Sequence, residues 1–216
     1  MLNFGFSPQI VILVVIAGTV PAAVIYSQLH QFWRVGLVAV DRETANGLDY
    51  VTALNMCNSD LEFLGIGASK LTRLREFEGA INRCSRPDRA IKFLLSRPDA
   101  EPLRKIATLA GRDPGEYQHT VQESLRMIAD FEKRRGKNIE VRFYEDFPAF
   151  RIMFVNDSTC LVSHYVLGKG DGSNLPQLQL IKLSDVEDIK SLFYGFRYYF
   201  DSIWRDAKPW DFEQYL

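Results

Sequence analysis

The sequence predicts a mixed α/β domain preceded by a single membrane-spanning helix, and three observations carry that prediction. The first 33 residues contain no Asp, Glu, Lys or Arg. Beyond Ser59, short apolar runs alternate with stretches whose apolar positions recur every three or four residues. From Ile139 the alternation gives way to four successive strand-like runs and a closing helical stripe, so the sheet should mix parallel and antiparallel pairing.

The uncharged start is the first element. Pro8 to Leu29 reads PQIVILVVIAGTVPAAVIYSQL, about the length that crosses a bilayer. A cleaved signal peptide would open on positive charge and carry a shorter apolar run, and so uniformly apolar a core helix would be unusual in a domain this small. Pro21 can be accommodated by neighbours or water. Arg34 and Arg42 follow the run and nothing basic precedes it, which places the C-terminal side in the cytoplasm. The expected division is an anchor over 1–33, a juxtamembrane linker over 34–58 and a cytosolic domain over 59–216. The chain is then expected in the cell membrane as a single-pass protein, with membrane lipid as the partner of residues 8–29. In the linker, Leu37, Val40, Thr44, Leu48 and Val51 fall at helical spacing, as a stalk would show.

Composition limits the chemistry. With 26 Lys and Arg against 27 Asp and Glu, the chain lacks the basic field that nucleic acid requires, so nucleic acid is a poor partner. Cys57, Cys84 and Cys160 form no CxxC pair and give neither a disulfide framework nor a zinc spacing; they read as buried thiols in a reducing compartment. His30, His119 and His164 are dispersed, and there is no GxSxG elbow or Walker loop, so neither a metal nor a cofactor is expected.

The domain then reads element by element. Leu61 to Ile66 is a strand, and Leu71, Leu74, Phe77 and Ile81 mark the helix after it. Ala90 to Leu95 is the next strand, with Asp99 capping a helix through Ala110 that Gly111 ends. Asp113, Pro114 and Glu116 open a further helix whose buried stripe is Tyr117, Val121, Leu125 and Ile128 and whose end is Gly136. Strands follow over Ile139 to Tyr144, Phe150 to Val155, Thr159 to Val166 and Leu178 to Leu183, with Asn156 and Asp157 as a hairpin turn. Ser184 and Glu187 form a capping box before a stripe of Ile189, Leu192, Phe196, Phe200 and Ile203. Tyr194, Tyr198 and Tyr199 exceed what one stripe needs and mark a candidate interface, such as that of a homo-oligomer. The cluster Lys133, Arg134, Arg135 and Lys137 complements a helix end and is also suited to anionic lipid.

Four segments, LEFLGIGASKL, AIKFLLSRPDAEPLRKIA, IEVRFYEDFPAFRIMFVNDSTCLVSHY and FDSIWRDAKPW, carry a family resemblance. Together they resemble an uncharacterised bacterial domain family that is itself similar to the phospholipase D fold. The resemblance spans Ser59 to Trp210 and implies a mixed-sheet phospholipase D-like domain. Active members use H-x-K-x(4)-D, with a histidine nucleophile, a phosphate-neutralising lysine and a supporting aspartate. Aligning the lysine with Arg151 puts Ala149 at the histidine, and aligning the aspartate with Asp157 puts Phe150 there. His164 has Val166 where the lysine belongs, although Asp171 falls at the aspartate's distance. The resemblance therefore implies a degenerate site with no catalytic residues.

Five residues are candidates for ligand binding. Ser69 and Lys70 follow the glycines of GIGAS, where backbone N–H groups at a helix start can hold an anion, although a tight turn needs the same glycines. Arg97 ends the second strand, where open α/β sheets place ligands, and a salt bridge to Asp99 is its bland alternative. Arg151 lies at the position of the family's lysine, and His164 with Asp171 and Arg151 is the remaining catalytic constellation. The expected function is a non-catalytic sensor or interaction module that binds a phosphorylated small molecule or a protein, with signalling or defence suggested by architecture alone. The alternative is a membrane-bound phosphodiesterase or nuclease with a divergent site.

Overall fold

The structure is a computed structural model that describes residues 7–42, 49–84, 91–135, 138–146, 149–166, 175–184 and 190–216. Its frame is one sheet of eight strands in the order β1-β7-β6-β5-β2-β3-β4-β8. These strands are Leu37–Asp41 (β1), Leu61–Gly65 (β2), Ile91–Ser96 (β3), Ile139–Tyr144 (β4), Phe150–Val155 (β5), Thr159–His164 (β6), Gln177–Ile181 (β7) and Lys208–Pro209 (β8). β2, β3 and β4 run parallel, and the remaining pairs are antiparallel. The mixed sheet follows from the connections, because helical crossovers join the first group whereas the Asn156–Asp157 turn folds β5 directly onto β6. Both turn residues have positive φ, 58° and 52°, within the three-residue connection of Asn156, Asp157 and Ser158 between Val155 and Thr159.

Strand parity divides the core into two layers. Phe63, Phe93, Val141, Met153 and Leu161 face helices Tyr50–Met56 (α2), Ser69–Thr72 (α3), Arg75–Cys84 (α4), Glu101–Leu109 (α5) and Glu116–Arg135 (α6). Leu64, Leu94, Ile152, Phe154, Val162 and Leu180 face Leu192–Asp206 (α7) on the other side. α7 begins after Ser191 and not at Ser184, and Glu187 and Ile189 of the expected capping box lie outside the described residues. Tyr194 and Tyr199, expected at an interface, pack instead against the core under α7, leaving Tyr198 exposed.

The segment expected to be a linker is built into the domain. Pro8–Arg34 (α1) ends at Gly36, where φ is +81° and an added Cβ would sit 2.6 Å from the carbonyl oxygen of Ile181. The chain thereby turns straight into β1, an edge strand paired with β7. α2 packs on α4, and Arg83 donates to the α2 carbonyls of Cys57 and Leu54 at 2.8 and 2.6 Å.

The expected membrane span is helical, as α1, but among the described residues no helix is long and apolar enough to cross a membrane. The side chains at 8, 10–12 and 14, within the same expected span, lie outside the description. Leu13, Ile16, Val24, Ile25, Leu29 and Trp33 of α1 are exposed.

The cysteine expectation also changes. Cys57 and Cys84 are joined as a disulfide between α2 and α4, both buried, while Cys160 is a buried free thiol. Spacing gave no hint of this because the two cysteines meet only through the packing of the two helices. A bridge closing 27 residues restrains the unfolded chain by about 3 kcal/mol. A reductant should therefore lower the urea midpoint, and maleimide labelling of the denatured, unreduced chain should mark Cys160 alone. Labelling of all three cysteines would show Cys57 and Cys84 to be thiols.

Candidate functional site

A cavity of about 280 Å3 opens between the C-terminal end of β2 and α6. It lies just below the range of small-molecule sites, which start near ~300 Å3. Its wall is assembled from distant parts of the chain: Tyr50 of α2, Ser69 and Lys70 of α3, Arg112 before α6, Tyr117 of α6, Arg151 of β5 and Tyr165 beyond β6. Among the described residues, every charged side chain lining it is a cation, namely Lys70, Arg73, Arg112 and Arg151.

The β2 end is held by two tyrosines. Tyr144 Oη donates to the carbonyl of Gly65 at 2.8 Å, and the N–H of Ile66 donates to Tyr165 Oη at 3.1 Å. Gly65 is required there, since an added Cβ would fall 2.8 Å from the Phe63 ring and 3.2 Å from Tyr165 Oη. The N–H of Ala68 is likewise engaged, donating to Ser124 Oγ at 2.9 Å. The GIGAS segment is thus a packed turn that uses its own N–H groups at Ile66 and Ala68, and α3 is a helix of only four residues. Ser69 and Lys70 do line the cavity, but through their place on its wall and not as an anion-holding helix start.

Arg151 provides the buried charge. It is 8% exposed, its Nη2 donates to Ser163 Oγ at 3.0 Å, and its guanidinium lies 5.5 Å from the centre of the Tyr50 ring. The two outer arginines are positioned by carboxylates of α6: Arg73 pairs with Glu123 and Arg112 with Glu116, each at 2.5 Å. Arg112 also lies 5.6 Å from the centre of the Tyr117 ring.

Two of the five expected residues stand elsewhere. Arg97 donates to Asp99 and to Glu145 at 2.6 Å each, in the salt bridge that was its bland alternative, and it does not line the cavity. The hydrogen bond to Asp99 raises the Arg97 pKa, while Lys208 and then Arg97 lower that of Glu145, so the cluster is mutually satisfied. The pocket expected to combine Arg97 with Arg151 does not form, because the Arg97 side chain turns toward the β4 end and its carboxylates. His164 is exposed and opposes Phe150, one register position from the Arg151–Ser163 pair. Its parity directs it toward the α7 side, opposite Arg151, so the His164–Arg151 constellation is not assembled. Asp171 lies outside the described residues.

Sequence reading missed Tyr50, Arg73, Arg112, Tyr117 and Tyr165. Arg73 and Arg112 sit at helix ends, where basic residues serve many purposes, and only the packing of α6 across α3 and α5 brings them to one opening. The arrangement can hold an anion. None of the three histidines lines the cavity.

No family model and no curated protein matches the sequence. Solved structures do align with the chain. TrmBL2, an archaeal chromatin protein with a novel mode of DNA binding, is 15% identical with a TM-score of 0.47, covering 93% of this chain and 66% of its own. Nuc from Salmonella typhimurium, a phospholipase D family member, is 9% identical with a TM-score of 0.47, covering 74% of this chain and 88% of its own. Phosphatidylserine synthase from Haemophilus influenzae Rd KW20 is 11% identical with a TM-score of 0.51, covering 81% of this chain and 40% of its own. The chain spans just under two thirds of the first of these proteins and well under half of the third. Identities this low speak to the fold alone, and the fold is similar to that of the phosphatidylserine synthase.

Burial raises the Tyr165 pKa from 10.0 to about 12, with Arg151 opposing the shift. The folded state therefore keeps this proton to higher pH than the unfolded chain does, and stability falls as pH rises from 10 toward 12. Tyr144 is shifted the same way by burial. Urea unfolding followed between pH 8 and 12 should show that loss above pH 10, and Tyr165→Phe should reduce it. A flat profile would mean that neither phenol is held protonated by the fold.

Proposed function

We propose that this chain is a non-catalytic binding module that holds a phosphorylated ligand in the β2–α6 cavity and is tethered to a membrane by α1. One observation carries the binding part: among the described residues of the cavity wall, all four charged side chains are cations, one of them buried. The resemblance in sequence agrees, since Arg151 stands where a phosphate-neutralising lysine is expected and Ala149 where a nucleophile is expected. A guanidinium suits this duty because its planar fork can take two phosphate oxygens at once. The alternative, a phosphodiesterase, would depend on His164, which is directed to the other side of the sheet.

The tether is supported by the uncharged run from Met1 to Trp33 and by the exposed apolar side chains of α1. Arg34 and Arg42 favour a cytoplasmic domain and are now the sole support for that orientation, because the paired Cys57 and Cys84 no longer argue for a reducing compartment. The chain should sediment with membranes and release the domain when residues 1–33 are removed. Release of the intact chain by carbonate washing would refute the tether.

Inorganic pyrophosphate is the probe for the pocket. The full chain in detergent should bind it, Arg73→Ala and Arg112→Ala should each weaken binding several-fold without lowering the melting temperature, and Arg97→Ala should leave it unchanged. Arg151→Gln should weaken it at least tenfold, a loss of about 1.4 kcal/mol or more. Turnover of a chromogenic phosphodiester that disappears in His164→Ala would overturn the non-catalytic reading.

A further inference from the structure

We infer that the end of α1 and the edge strand β1 form one surface that docks on the headgroup layer of a phospholipid bilayer; this rests on the tether reading above. The joint between the two elements is fixed by hydrogen bonds. The N–H groups of Val35 and Gly36 donate back to the carbonyls of Phe32 and Trp33 at 3.2 and 3.0 Å, while those of Leu192 and Ile181 donate to the carbonyls of Val35 and Gly36 at 3.0 and 2.8 Å. The last turn of α1 is thereby pinned to β7 and to the start of α7, so a membrane that holds α1 also meets the sheet edge.

The chemistry of that edge matches a bilayer surface. A groove of about 200 Å3 between helix and strand is lined, among the described residues, by Leu29, Phe32, Trp33 and the apolar run from Leu37 to Val40. Tyr26, Phe32 and Trp33 are exposed toward the end of α1, the residue types that gather where hydrocarbon meets headgroups. Arg34 closes α1 and Arg42 follows β1, both exposed, so a cation stands at each end of the groove for lipid phosphate. Asp41, the acid of the strand, is opposite Gln177 whereas Val40 is opposite Leu178, which turns Asp41 to the other face from Val40. Depth follows from the backbone. β1 is the last strand on its side of the sheet among the described residues, and its outer N–H and C=O groups need water or phosphate oxygens, which hydrocarbon cannot supply. The backbone therefore stays among headgroups while Trp33 and Val40, 55% and 62% exposed, reach the acyl boundary. A second copy pairing on this edge would meet the register shift between Leu37 and Ala39, which interrupts the ladder it would need.

The test is nitroxide labelling of the full, folded chain on vesicles of phosphatidylcholine and phosphatidylglycerol, with the label at Val40→Cys or, for comparison, at Leu109→Cys, an exposed position of α5; Cys160 is buried and stays unlabelled. Collisions with a water-soluble nickel complex should be about threefold or more rarer at position 40 than at 109, while collisions with oxygen, which concentrates among acyl chains, should be at least as frequent. Arg34→Gln combined with Arg42→Gln should raise the nickel collisions at position 40 about twofold or more. An unchanged value would overturn the phosphate contacts. Melting curves check each variant, and Val38→Cys takes the place of Val40→Cys if the latter fails to fold. Equal nickel collisions at the two positions on a membrane-bound chain would overturn the docking and leave the tether standing. Loss of both nickel and oxygen collisions at position 40 would show a second copy covering the edge and would also overturn the docking. Failure of the chain to bind vesicles would overturn the tether as well.

Discussion

The clamp on the end of β2 is the constraint from which the rest of the site follows. Tyr144 from β4 holds the carbonyl of Gly65, and Tyr165 from beyond β6 holds the next N–H. Both phenols are buried, so each hydrogen bond left unmade would cost about 1–3 kcal/mol in desolvation. Together they make β2 stop abruptly, lay the following turn against α6 and leave the cavity between them. Any side chain at position 65 would push Phe63 and Tyr165 apart, which makes a glycine there a packing requirement.

The opposite face is secured differently. α7 crosses the sheet with Arg197 pressed against the Phe154 ring, its guanidinium 3.7 Å from the ring centre and paired with Glu62 and with Asp157 at 3.5 Å. Lys92 reaches the same Glu62 at 3.1 Å and lies over Trp204. Breaking one member of such a half-buried group leaves its partner poorly solvated, so the network selects one placement of α7 more than it adds stability. Asp201 on the same helix has its pKa raised by burial.

That contrast separates the arginines of this chain. Arg97 and Arg197 have carboxylates within reach and are neutralised locally. Arg151 donates to the Ser163 hydroxyl and lies beside the Tyr50 ring. Arg73 and Arg112 keep acidic partners, but those lie outside the cavity wall.

The amino-acid sequence by itself determined the elements of the domain: strand runs at Leu61, Ile139 and Phe150, the helix opened by Asp113 and Pro114 and the Asn156–Asp157 turn are all local patterns. It also singled out Arg151, through its place beside a known phosphate position. Tertiary structure alone decided the remainder. The supposed linker became an edge strand because β7 offered it a partner, and Cys57 met Cys84 because α2 lies on α4. His164 was lost from the site by one step of strand parity, and Arg97 by two carboxylates, one of them 48 residues away. Local spacing governs hydrogen bonding along a helix or strand, whereas a cavity belongs to residues such as Tyr50, Tyr117 and Arg151 that come together only after the sheet has been covered.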